Sequence, residues 1–138
     1  KSMFQKSEWI VEWLRENRKG KVSYSNPMFG EEEAKFTEKT IDEVIYNSTF
    51  PEEIEEKLGI LININDYLLP NASLTKEKPK DNKDKARCFF VLDSEYKGKN
   101  DSLIGKRIQI VFRENQNGTI NIHFIRLPFD KKRKEFYS

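Results

Sequence analysis

Arg107-Ile108-Gln109-Ile110-Val111-Phe112-Arg113-Glu114 and Thr119-Ile120-Asn121-Ile122-His123-Phe124-Ile125-Arg126-Leu127 are the two stretches whose alternation decides the fold. Large apolar residues recur at every second position, the period of a strand with one buried face. Ile108, Ile110 and Phe112 share one side of the first stretch, and Ile120, Ile122 and Phe124 form the matching set on the second. Between them stands Asn115-Gln116-Asn117-Gly118, a hairpin signal, because Asn and Gly tolerate positive φ. A three-residue loop, Gln116-Asn117-Gly118, keeps both apolar sets on one side and places Gly118 at the positive-φ position of a bulged turn. The other side then carries Arg107, Gln109, Val111 and Arg113, with Thr119, Asn121, His123 and Ile125 beside them.

Upstream of the hairpin, Arg87–Tyr96 reads as a third strand, with Lys97–Gly105 as the connection. The first half of the chain has a helical period instead. Ser7 suits an N-cap, and Glu8–Lys19 predicts a helix with Trp9, Ile10, Trp13 and Leu14 on one face, closed by Gly20. A short strand is expected at Lys21–Tyr24, followed by a loop at Asn26-Pro27 and Gly30. Thr37 predicts the cap of a second helix with the stripe Ile41, Val44 and Ile45. Pro51 predicts the first residue of a third, which carries Ile54 and Leu58 and closes at Gly59. Ile60–Leu69 favours one more short helix. Lys76–Lys85, with five lysines and no large apolar residue, reads as a solvated loop. The expected fold is α+β, with N-terminal helices packed on a C-terminal antiparallel sheet of three or more strands. It forms one domain over residues 1–138, with a basic, loosely ordered tail at 130–138.

Composition bounds the function. At 138 residues with 36% hydrophobic and 12% aromatic content, the chain can build one core. Charged residues reach 35%, but 25 basic residues nearly cancel 23 acidic ones, for a net +2. A case for nucleic-acid binding therefore has to rest on a local patch. Cys88 is the only cysteine, so an internal disulfide and an all-cysteine zinc site are excluded. Its apolar run Cys88-Phe89-Phe90-Val91-Leu92 predicts a buried thiol. No stretch approaches the ~20 apolar residues of a membrane span.

His123 is the only histidine, and the alternation places it on the polar side of the sheet. An imidazole titrates near pH ~6.5 and serves as a general acid or base. Arg113 is placed beside it by sheet geometry and suits stabilisation of a phosphorane-like charge. Arg107, Gln109, Asn121 and Arg87 are the candidate substrate contacts. The competing reading, that His123 is an ordinary residue on an exposed strand, stays open on these grounds. Glu31–Glu33 and Glu52–Glu56 read as solvated faces. No Asp, Glu or His spacing matches a nuclease metal site, and there is no Gly-rich phosphate loop or Gly-x-Ser-x-Gly elbow.

Three segments together carry a resemblance. Trp9–Lys21 reads Trp-Ile-Val-Glu-Trp-Leu-Arg-Glu-Asn-Arg-Lys-Gly-Lys, Lys35–Asp42 reads Lys-Phe-Thr-Glu-Lys-Thr-Ile-Asp, and the pair Ile108–Arg113 and Ile120–Phe124 closes the series. This order resembles a domain found at the C-termini of phage Mu-type head-morphogenesis and other polyvalent proteins. That domain is linked to the Barnase–EndoU–Colicin–RelE-like nuclease superfamily, which includes toxins of contact-dependent inhibition systems. The resemblance implies a ribonuclease toxin needing no metal or other cofactor, with RNA as substrate and tRNA among the candidates. It implies a cognate immunity protein as partner and a monomeric domain. The implied setting is a fragment of a larger secreted or phage-delivered protein that acts in the bacterial cytoplasm without a membrane anchor. On this sequence it implies His123 as acid or base, Lys39 as a phosphate contact, and Thr37 as a phosphate contact or simply a helix cap. The alternative is a non-catalytic domain of a phage or polyvalent protein that holds a protein partner on the same sheet face.

Overall fold

The computed structural model describes residues 3–81, 83 and 85–128; the basic tail from 130 lies outside them. Their order is α1 (Met3–Asn17), β1 (Ser23–Ser25), β2 (Glu33–Lys35), α2 (Glu38–Asn47), α3 (Pro51–Ile62), β3 (Thr75–Glu77), β4 (Cys88–Glu95), β5 (Arg107–Glu114) and β6 (Ile120–Arg126). Short 3-10 turns stand at Pro27–Phe29 and Ile64–Asp66. The six strands form one sheet in the order β1-β2-β6-β5-β4-β3. All neighbours are antiparallel except β2 and β6, which run parallel, with Ala34 beside Ile120 and Lys35 beside Asn121. The fold is α+β with its helices in the first half, as the patterning predicts. The sheet is nonetheless mixed, and its six strands exceed the three long strands and the short one at Lys21–Tyr24 read from the sequence. The strand expected at Lys21–Tyr24 forms as β1, shifted to Ser23–Ser25, whereas β2 and β3 span three residues each, too few to display a period of two. The solvated loop expected from Lys76 in fact opens with the end of β3, because Thr75, Lys76 and Glu77 pair with Val91, Phe90 and Phe89.

One face of the sheet, the inner face, buries Phe90, Leu92, Ile108, Ile110, Phe112, Ile120 and Ile122 against Leu14 of α1, Ile41 and Val44 of α2, and Leu58 and Leu61 of α3. Ten of these twelve are 1% exposed or less, so this layer is the core that holds the fold. Tyr24 of β1 stacks on Phe112 at 5.4 Å, and Phe29 meets Phe90 and Phe112 edge-on at 5.1 and 5.5 Å. Asn26 makes this possible. Its Oδ1 accepts from the Met28 amide at 3.0 Å and its Nδ2 donates to the Ala72 carbonyl at 2.8 Å, so the Asn26-Pro27 turn folds Phe29 inward.

Two helix boundaries differ from expectation. Helix α1 starts at Met3, so Ser7 lies inside it rather than at its cap. Trp9, expected on the apolar face, is 64% exposed, and Leu14 supplies the buried contact. Trp13 is half-buried beneath the Arg18 guanidinium, 4.6 Å from its ring, and Arg18 in turn donates to the Ile62 carbonyl at 2.7 Å. Helix α3 runs through Gly59 to Ile62, because Ile60 and Leu61 are buried and outweigh the ~1 kcal/mol helical cost of glycine. The segment expected as a short helix over Ile60–Leu69 is thus split between the end of α3 and a 3-10 turn.

Helix α2 is bolted to β6 by one side chain. Thr37 takes the extended backbone of an N-cap, and its amide donates to Thr40 Oγ1 at 3.0 Å. Thr40 Oγ1 donates in turn to the Ile122 carbonyl at 2.5 Å and is wholly buried. Thr40→Val keeps the shape but strands both the Thr37 amide and the Ile122 carbonyl. It is expected to cost about 1–3 kcal/mol of unfolding free energy in urea titrations, with Thr40→Ser recovering most of it.

Helices α1 and α2 are joined at the surface by Glu38, which accepts from Arg15 Nη2 at 2.9 Å and Lys19 Nζ at 3.1 Å. The Arg15 hydrogen bond holds the Glu38 carboxyl below the usual carboxylate range. A lowered folded-state pKa contributes stability above the unfolded pKa, and that stability is lost as pH falls through the folded value. Because the pair is solvent-screened, Glu38→Gln is expected to cost under ~1 kcal/mol at pH 7. Variant and parent should converge in urea midpoint as pH drops below the usual carboxylate range.

Candidate anion-binding face of the sheet

The outer face, opposite the helices, is organised around an irregularity in β6. Phe112 pairs with Ile122 and Val111 with Phe124, so His123 has no opposite number on β5. It is the extra residue of a β-bulge. Before the bulge, Ile120 and Ile122 point into the core, as the alternation predicts. After it the sides exchange: Ile125 is fully buried, and Phe124 is half-buried on the outer face. The sequence alternation places Phe124 inward and Ile125 outward; the bulge reverses both. The hairpin itself forms as expected, with Asn115 N–H donating to Thr119 O at 2.8 Å and Gly118 at φ 89.

The bulge brings His123 and Phe124 to the same side, with ring centroids 5.1 Å apart. Phe89 of β4 lies 5.6 Å from the imidazole on its other flank. Phe89, Arg113 and Asn121 stand abreast on three adjacent strands, and the Arg113 guanidinium lies 6.0 Å from the Phe89 ring. Arg113 Nε donates to Asn115 Oδ1 at 3.1 Å, and Asn115 Nδ2 donates to Asn121 Oδ1 at 2.7 Å. The turn residue Asn115 thereby fixes both side chains. Asn121 is 6% exposed, and its Nδ2 is buried with no partner among the described residues. A buried donor of this kind costs ~1–3 kcal/mol until an acceptor meets it. Val91 and Val111, also on this face, are buried beneath the neighbouring side chains.

The predicted site residues divide into two groups. His123, Arg113 and Asn121 come together at one end of the face. Arg87 joins that end, exposed at the hairpin turn, where its Nη1 lies 3.7 Å from the point a Gly118 Cβ would occupy. Arg107 and Gln109 belong to the other end; Arg107 sits six residues along β5 from Arg113, about 20 Å away. There Arg107 donates to the Asp93 carbonyl at 3.2 Å and Gln109 to Asp93 Oδ1 at 3.2 Å. Arg126 pairs with Glu77 at 3.3 Å. Asp93, Arg107, Gln109 and Arg126 line a cleft of about 210 Å³ with Leu127 and Pro128. The face is thus cationic at the His123 end and balanced at the other.

Thr37 is abreast of His123 if the parallel register Lys35–Asn121 is extended by two residues, and its backbone there is still extended. Its established work is to begin α2. Lys39 stands exposed on the first turn of α2, whose buried side faces the inner surface of β6. Among the described residues it forms no hydrogen bond or ion pair with the His123 group. Sequence reasoning missed Phe89, Phe124 and Asn115. Asn115 is visible only as a turn former, and the two aromatics read as core.

Among the described residues no group of three or more His, Cys, Asp or Glu is placed to hold a metal ion, and no helix is long and apolar enough to cross a membrane. Cys88 is buried on the inner face, with Sγ 3.7 Å from Glu114 Oε2, and burial pushes its thiol pKa up. It is a core residue, not a nucleophile. Compared with family models, curated proteins and solved structures, the chain matches none.

Because His123 is the surplus residue, its deletion converts β6 to regular pairing and leaves every other side chain on its present face. The deletion variant is expected to unfold cooperatively in urea within ~1 kcal/mol of the parent. A loss several times larger, or a collapse to a molten state in near-UV circular dichroism, would show that the bulge is structural rather than a device for presenting the imidazole.

Proposed function

We propose that this chain is a ribonuclease domain that cleaves single-stranded RNA at the His123 end of the outer sheet face, without a metal ion. The observation that carries the reading is the bulge. It sets the one imidazole between two aromatic rings, within one ring of Arg113 and next to the buried, unpartnered Nδ2 of Asn121. Phe89 and Phe124 suit base stacking, which tolerates any sequence. Arg113 and Arg87 supply donors for a phosphate.

RNA carries its own nucleophile beside each phosphate. In the proposed step the imidazole of His123 takes the 2′-hydroxyl proton while the 2′ oxygen bonds to phosphorus. The bond from phosphorus to the 5′ oxygen breaks, and that oxygen takes a proton from water. Arg113 offsets the charge that builds on the non-bridging oxygens. The products are a 2′,3′-cyclic phosphate and a 5′-hydroxyl end. The toxin setting and its immunity partner, implied by the resemblance, accompany this reading as part of the same proposal.

Single-stranded RNA incubated with the protein in EDTA is expected to yield those two ends, and DNA of the same sequence to stay intact. His123→Ala, with an unchanged thermal transition, is expected to slow cleavage by about 10²–10⁴. A folded His123→Ala protein that cuts at the parental rate sinks the proposal. RNA that binds the parent tightly but is never cut also sinks it, in favour of a non-catalytic binding face.

A further inference from the structure

On the far side of the molecule the three helices leave a groove of about 710 Å³. Val11 of α1, Ile41 and Ile45 of α2, and Pro51 and Ile54 of α3 form its apolar floor. Tyr46, 78% exposed, stands at its edge. Its rim is acidic: Glu8 and Glu12 on α1 face Asp42 on α2. Among the described residues Arg15 is the one cation lining it, and its guanidinium is already held by Glu12 and Glu38. Neither Glu8 nor Asp42 forms an ion pair with any described residue.

We infer that this groove is a docking site for a basic amphipathic α-helix of a partner protein, separate from the outer sheet face. The walls decide the conformation of the occupant. They are helices whose backbone groups already bond along their own axes, so they offer no edge to an extended peptide. An extended segment on the apolar floor leaves its own amides and carbonyls unpaired, at a cost of ~1–3 kcal/mol each. A helix arrives with its backbone satisfied and needs only a stripe of side chains at i, i+3, i+4 and i+7 to fill the floor. The rim decides the charge of the occupant. Carboxylates on both banks favour Lys and Arg on the flanks of that stripe and repel acidic flanks. Tyr46 offers a large, amphipathic contact of the kind enriched at interface anchors.

The probe is a fluorescein-labelled fourteen-residue amphipathic peptide of Leu and Lys, compared with its Leu and Glu counterpart by anisotropy at ~0.1 M salt. The basic peptide is expected to bind at least ten-fold more tightly and to gain helical circular dichroism on binding. Ile45→Glu, confirmed folded by its thermal transition, is expected to weaken it a further ten-fold. The double variant Glu8→Lys/Asp42→Lys, which leaves the floor intact, is expected to reverse the preference between peptides. Equal affinities for the two peptides overturn the inference, as does a folded Ile45→Glu protein that binds as the parent does. A parent that self-associates through the groove, seen as a dimer by light scattering that Ile45→Glu dissolves, overturns it in favour of a second copy. RNA cleavage by His123 is expected to be unchanged in the Glu8→Lys/Asp42→Lys variant, so the two surfaces fail or succeed independently.

Discussion

Strand β6 is where the two halves of the chain meet, and the fold depends on its being satisfied on both edges and one face. On one edge it takes the antiparallel ladder of β5, a local hairpin partner. On the other it takes β2 in parallel, with Ala34 beside Ile120 across most of the chain's length. On its inner face Thr40 reaches the Ile122 carbonyl. The hairpin forms cheaply because its loop is short, whereas the parallel pairing closes a loop of some eighty residues and must be repaid by burial. That repayment is visible: Ile120, Ile122, Phe36 and Ile41 are all 2% exposed or less. Pairing β2 with β6 thus closes the sheet and delivers α2 to its inner face in one event.

The bulge is a consequence of asking one strand to do two jobs. An unbroken alternation over Ile120–Arg126 buries Phe124 and exposes Ile125. With one surplus residue, both Ile122 and Ile125 enter the core, and His123 and Phe124 share the outer side. A bulge sacrifices ladder bonding locally, and nothing in the core requires it, since a strand one residue shorter would bury the same isoleucines. What it uniquely supplies is an imidazole and an aromatic ring side by side. That is the physical reason for reading function into this end of the sheet.

How much of this was legible in the sequence follows from length scale. The β4, β5 and β6 strands are seven or eight residues long, and period two stands out. The loop Gln116-Asn117-Gly118 and its positive-φ glycine could be read because turn chemistry is local. Strand β1 was read, within two residues, as the short strand at Lys21–Tyr24, but β2 and β3 could not be, because their pairing is decided by tertiary partners. The exposure of Trp9 was illegible for a related reason. Its spacing from Trp13 is helical, but only the position of α3 fixes which side of α1 is covered. His123 and Arg113 were correctly placed on one face. Gln109 and Arg107 share that face too, yet cross-strand hydrogen bonds to Asp93 commit them elsewhere, and no alternation pattern encodes those bonds.

The near-zero net charge hides a separation that the layers impose. Glu8, Glu12, Asp42, Glu52 and Glu55 are carried by the helices, whereas Arg113 and Arg87 stand at the hairpin end of the outer sheet face. The groove lies on the helix layer and the cationic end on the opposite face of the sheet, so the sheet and the helices stand between them. Each surface is therefore felt by its own ligand with little interference from the other. A polyanion meets the sheet end as a cationic patch, although the molecule as a whole carries only +2. Placing the carboxylates on the helices also lets Glu52 and Glu53 occupy the first turn of α3, where the helix dipole favours them. The same arrangement serves the stability of the helices and leaves Arg113 and Arg87 at the hairpin end of the sheet to meet an anion.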